Sequence, residues 1–106
     1  MAAGHREVVW SQRARDALDE AVAYVWKDAP ERARQLLERI LNAAATLDRL
    51  SDRGCVVPEL ADPTYRELLV RPYRLIYDAR ERIIVIVALL HEARDFATWR
   101  REQSSF

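Results

Sequence analysis

One cysteine, one lysine, two histidines and two glycines among 106 residues remove several classes of protein at once. With Cys55 alone there is no internal disulfide, so a secreted disulfide scaffold is excluded. His5 and His91 lie far apart and Cys55 has no companion at ligand spacing, so no metal site is expected. A chain whose only glycines are Gly4 and Gly54 has no glycine-rich phosphate loop, and no cofactor is suggested. No apolar run approaches the roughly 18 residues of a membrane span, and "MAAGHREVVW" lacks the apolar stretch of a secretory leader. The expectation is a cytoplasmic protein with no membrane contact. Net charge is zero, which argues against a general coating of phosphate and against sequence-specific DNA binding by the chain alone.

What is present is globular. Half of the residues are apolar and about a third are charged, a balance too hydrophobic for disorder. The length suits a single domain over 1–106, with residues 1–5 and 103–106 as tails. From Thr64 to Phe106 eight arginines meet six acids, whereas Met1 to Leu50 is balanced at eight of each sign. That weak bias becomes a binding patch only if local geometry gathers it.

The order of elements is legible. "REVVW" (Arg6 to Trp10) is β-branched and aromatic, hence a strand, and Ser11 after it is a good helix N-cap. Ala14, Ala17, Leu18, Ala21, Val22 and Val25 recur at spacings of three and four, predicting one helix from Gln12 to Asp28. "DAPE" restarts the helix, with Asp28 as cap and Pro30 in the first turn. A second apolar stripe from Ala33 to Leu50 completes an antiparallel helical hairpin. "SDRGCVVPELADP" is a linker in which Gly54, Pro58 and Pro63 stop the helix. Three strands follow at Tyr65 to Val70, Tyr73 to Asp78 and Arg82 to Leu90, spaced closely enough for an antiparallel meander.

The fold class is therefore α+β, a helical hairpin packed on an antiparallel sheet in the order β-α-α-β-β-β. "RIIVIVALL" is apolar at odd and even positions, so both faces of that strand need cover and one hairpin supplies only one. Either a short C-terminal helix at "FATWRREQ" (Phe96 to Gln103) or a partner must supply the other. Cys55, Trp10, Trp26 and Trp99 are expected to serve packing.

Candidate chemistry gathers in the meander and just after it: Arg66, Arg74, Tyr77, His91 and Arg94. Arginine neutralises a scissile phosphate and tyrosine or histidine shuttles protons, so these types suit RNA cleavage. They equally suit a protein contact. A purely structural reading makes Tyr73 and Tyr77 core aromatics, Arg74 a cross-strand partner of Glu67, and Arg94 a partner of a carboxylate. Register separates the two: a two-residue loop at Arg71-Pro72 pairs Val70 with Tyr73 and Leu69 with Arg74, sending Arg66 and Arg74 to opposite faces. A three-residue loop would put them on one face.

Four pieces in order, "GCVVPEL", "YRELLV", "PYRLIY" and "LLHEARDF", on this element order resemble the RelE/ParE toxins of bacterial type II toxin-antitoxin systems, over roughly Val8 to Phe96. The resemblance implies the same α+β fold, a cognate antitoxin, growth arrest and plasmid stabilisation. RelE-like members cut mRNA on the ribosome through basic residues of the sheet, which would cast Arg66, Arg74, Tyr77 and Arg94 as catalytic. ParE-like members lack most of those residues and inhibit DNA gyrase. Leu68 stands where RelE-like enzymes carry a lysine, and Phe96 offers no hydroxyl where they carry a tyrosine. Cys55 departs from the arginine that many ParE-like chains place after the glycine, while His91, Arg94 and Asp95 match the ending common among them. The resemblance thus implies a ParE-like toxin without catalysis of its own, with Arg66, Arg74, His91, Arg94 and Asp95 contacting target or antitoxin. A RelE-like endonuclease is the alternative, and an inactive member that only binds an antitoxin the third reading.

Overall fold

The computed structural model of the chain describes residues 6–51, 54–60 and 62–92. Strand β1 (Glu7–Trp10) leads into helix α1 (Gln12–Trp26) and helix α2 (Pro30–Ala45), which ends in a 3₁₀ turn at Thr46–Asp48. Then come a two-residue strand β2 (Cys55–Val56) and the meander β3 (Tyr65–Val70), β4 (Tyr73–Ala79) and β5 (Ile83–His91). The sheet order is β1-β5-β4-β3-β2. All neighbours are antiparallel except β1, which lies parallel to β5 with Val8 opposite Ile84. The expected α+β hairpin-on-sheet architecture is present, with one parallel edge added.

The helices form for the reasons their sequences suggest. Ser11 caps α1, its Oγ accepting from the Ala14 amide at 3.1 Å. The buried stripe Ala14, Leu18, Ala21 has two alanines, which suits close packing on the sheet. Helix α2 buries Ala33, Leu36, Ile40 and Ala44 and has Pro30 in its first turn, where a missing N–H costs nothing. Its cap differs from expectation: Ala29, not Asp28, is the N-cap, and no side chain closes it. Trp10 packs against the core as expected, whereas Trp26 is 56% exposed at the end of α1. Cys55 is exposed on the sheet edge, so it does no packing either. No helix among the described residues is long and apolar enough to cross a membrane.

Two apolar clusters lie on the two faces of the sheet. The larger joins the helices to Val70, Leu75, Tyr77, Ile84, Ile86 and Leu89. The smaller, on the opposite face, holds Val57, Ile76, Ala88 and Leu90, with Leu60 and Tyr65 against it. A register shift between Ile76 and Tyr77 makes this possible: Ile76 pairs with Ala88 but Tyr77 with Ile86, leaving Val87 as the extra residue. The bulge switches β5 by one position, so Ile84 and Ile86 face the helices before it and Leu89 after it. That is why the strand is apolar at odd and even positions alike. Part of the second face is covered by Val57 and Leu60 from the β2–β3 connection. The expected helix at Phe96 to Gln103 and Trp99 lie outside the described residues.

Candidate functional site

The β3–β4 loop is the two residues Arg71 and Pro72, joined by a cis peptide, with Val70 opposite Tyr73 and Leu69 opposite Arg74. This is the register of the tight loop. Side chains alternate along a strand, so Arg66, Leu68 and Val70 face the helix side, whereas Glu67, Leu69 and Arg74 face the other. The two arginines are thereby separated by the sheet.

Arg74 is buried, 7% exposed, beneath the β2–β3 connection. Its Nε donates to Glu67 Oε1 at 2.6 Å, and Nη1 and Nη2 fork onto Glu59 at 3.1 and 2.8 Å. The Glu59 bonds, and after them those of Glu67, raise the guanidinium pKa above its ordinary value although burial opposes the shift. One bidentate and one single charge-assisted contact thus fix this side chain between a strand and a loop. Glu67 was legible as a cross-strand partner two positions off the direct pair. Glu59 was not, because nothing local says where a proline-containing connection will fold back.

On the helix side, Arg66 and Tyr77 are direct partners, and both bond to the Gly54 backbone. The fully buried Tyr77 donates its hydroxyl proton to the Ser51 carbonyl at 2.7 Å and accepts from the Gly54 amide at 3.0 Å. Arg66 Nη1 donates to the Gly54 carbonyl at 2.9 Å. Gly54 is glycine because there is no room for more. A Cβ there would lie 2.5 Å from the Glu67 carbonyl oxygen and 2.6 Å from the Tyr77 hydroxyl.

His91 ends β5, half-buried, its ring edge-on to Tyr73 with centroids 5.7 Å apart. Beside it Arg71 pairs with Glu92 at 2.9 Å on the surface. Arg94 and Asp95 lie outside the described residues. His91 and Tyr73 also form one wall of a groove of about 350 Å³, whose other lining is Tyr24, Val25, Arg32, Gln35, Leu36, Arg39 and Pro72. Arg32 and Arg39 lie outside the buried stripe Ala33, Leu36, Ile40 and Ala44 of α2. The available signal was their separation of two helical turns, which puts both on one side of the helix.

Of the proposed catalytic types, Arg66 and Tyr77 come together on one face, Arg74 is on the other, and each is occupied by a structural bond. No three His, Cys, Asp or Glu among the described residues gather as a metal site. A family model described as the ParE toxin of the type II toxin-antitoxin system parDE matches residues 8–96. Among solved structures, the chain resembles one from the chromosomal ParDE TA system of P. aeruginosa. The TM-score is 0.70 and identity 21%, covering 84% of this chain and 98% of that one, a likeness of fold. No curated protein matches the sequence significantly.

Proposed function

The chain belongs to the ParE toxin family of type II toxin-antitoxin systems, and from that premise we propose that it inhibits DNA gyrase and is neutralised by a cognate antitoxin. The observation that carries the reading is the family match over residues 8–96. A second consideration supports a binding toxin over a nuclease. Cleavage of RNA by grouped cations needs those cations on one face, aimed at the charge that develops. Arg66 and Arg74 are on opposite faces, and Arg74 is neutralised by two carboxylates.

Contact with gyrase or antitoxin is assigned to the end of β5, where His91 lies and from which Arg94 and Asp95 follow in sequence. The toxin acts by binding, stalling gyrase on cleaved DNA, and works in the cytoplasm. The test is expression without antitoxin followed by a supercoiling assay with purified protein. Growth arrest with loss of supercoiling is the expected result. Normal supercoiling together with codon-specific mRNA cuts in a translating extract would overturn the reading in favour of a RelE-like endonuclease. Neither effect, with antitoxin still bound, would leave an inactive binder.

A further inference from the structure

We propose that the open edge of β1, with the groove beside it on the helix side, is the contact through which two copies of this chain pair. The Ser11 amide donates to the Ile86 carbonyl at 2.9 Å, which sets the alternation of the parallel ladder: Glu7 and Val9 bond to β5, and Val8 and Trp10 turn their N–H and C=O groups away from it. No described residue hydrogen-bonds to those outward groups. The next outward group, the Arg6 amide, is taken by the Asp48 carbonyl at 2.8 Å, so the open stretch runs only from Val8 to Trp10. Such an edge is a template for another strand. The strand that matches it is β1 itself: run antiparallel about a two-fold axis at Val9, Val8 of each copy faces Trp10 of the other and the open groups of both edges are used. Val9, half-buried on the face away from the helices, then meets Val9 of the second copy.

Charge selects the same occupant. The paired edges alone bury little against the roughly 1,200 Å² of a stable interface, so side chains beside the edge must add to the contact. Trp10 supplies the link, because it also lines a groove of about 250 Å³ with Arg15, Leu18, Asp19 and Leu41. Leu41 is 43% exposed there, an apolar surface open to a partner. Arg15 and Asp19 stand one helical turn apart on α1, both exposed and opposite in sign, and no described residue bonds to either. The axis that joins the β1 edges lays the two α1 helices antiparallel on one side of the joined sheet, which sets Arg15 of each copy toward Asp19 of the other. An acidic partner would be repelled by Asp19 and a basic one by Arg15. A chain of zero net charge does not repel its own copy.

This inference goes beyond the toxin reading and requires neither gyrase nor antitoxin in the assay, so its failure leaves the family assignment standing. Sedimentation velocity of the full chain over a concentration series should show a monomer–dimer equilibrium. Asp19→Arg and Arg15→Asp change exposed residues of α1, so the fold is not at stake in either. Each alone should weaken the dimer at least about tenfold, because the two-fold axis turns both pairs from attraction to repulsion at once. Mixed in equal amounts, the two variants should form a heterodimer about as tight as the wild-type dimer, since every pair is again of opposite sign. Amide exchange is the second readout: Val8 and Trp10 should slow as the dimer forms, and Val9, already bonded to β5, should change less. Monomer at every concentration, a dimer indifferent to both variants, or slowed exchange confined to amides other than Val8 and Trp10 would each overturn the proposal.

Discussion

Replacing Arg74 with alanine separates support from contact. The Arg74 side chain is 9% exposed, with Glu67 at 14% and Glu59 at 40%. Removing one partner of a buried ion pair costs about 3–5 kcal/mol, mostly through the charge left behind. Glu59 can turn to water, so its share falls toward the roughly 0–1 kcal/mol of a surface pair. Glu67 cannot leave the sheet. The balance is a loss of about 2–4 kcal/mol, a large part of the roughly 5–15 kcal/mol that holds a domain together. At about 4–8 °C per kcal/mol for a chain near this size, the melt should fall by at least about 8 °C. Urea melts of Arg74→Ala, Glu67→Gln and the double variant form a cycle, with an expected coupling of about 1–3 kcal/mol. If Arg74→Ala melts within about 0.5 kcal/mol of the wild type while toxicity is lost, the support reasoning fails and Arg74 is a contact residue.

Gly54→Ala forces a Cβ to within 2.5 Å of a β3 carbonyl oxygen that is held by the ladder, so a loss of about 1–3 kcal/mol is expected in denaturant melts; an unchanged midpoint would mean the backbone at Gly54 shifts freely. Asp62 accepts from the Thr64 amide at 2.9 Å and the Thr64 hydroxyl at 2.8 Å, and these bonds, the amide's first, hold its pKa below the ordinary aspartate value. A lowered pKa in the folded chain means the turn is supported above the unfolded pKa and loses that support as pH falls through the folded one. The Thr64 amide resonance should therefore titrate with a midpoint below that of a free aspartate, and a midpoint at or above it would count against the turn.

The meander was legible because proline and charge punctuate it. The turn at Arg71-Pro72 was legible but its length was not; the structure has the two-residue loop, which fixes the register from Val70–Tyr73 down to Tyr65–Asp78. What escaped was set by contacts distant in sequence. Strand β2 is only two residues long and is defined by its pairing with the β3 edge, Cys55 opposite Glu67 and Val56 opposite Arg66. The bulge at Val87 leaves no compositional trace beyond the even apolarity of the strand. Trp26 invited a packing role by size alone, yet it follows Val25 at the helix end and points away from the stripe that Ala14, Leu18 and Ala21 define. The family resemblance rested on ordered short motifs and agrees with the matched span; the roles of Arg66, Arg74 and Tyr77 needed the register and the course of residues 54–60.

The Arg74 cluster also explains how a sheet with excess apolar surface remains partly sealed. Val57 and Leu60 cover Ile76, Ala88 and Leu90 only if the β2–β3 connection folds back onto the face, and Pro58 and Glu59 lie between them. Val57 is held by its amide bond to the Tyr65 carbonyl at 3.3 Å, and the Glu59 side chain by Arg74. A large apolar residue at position 74 could bury as much surface, and replacing a buried ion pair in that way is often neutral or better for stability. It would not specify where Glu59 sits. A guanidinium fork reads a carboxylate in one orientation, so it sets the position of the connection as well as its burial. Beyond that clamp, Val9, Ile83, Val85 and Val87 stay only half-buried on the same face. The ion pair therefore marks the boundary between the part of the sheet that the chain covers with its own connection and the part that the connection does not reach.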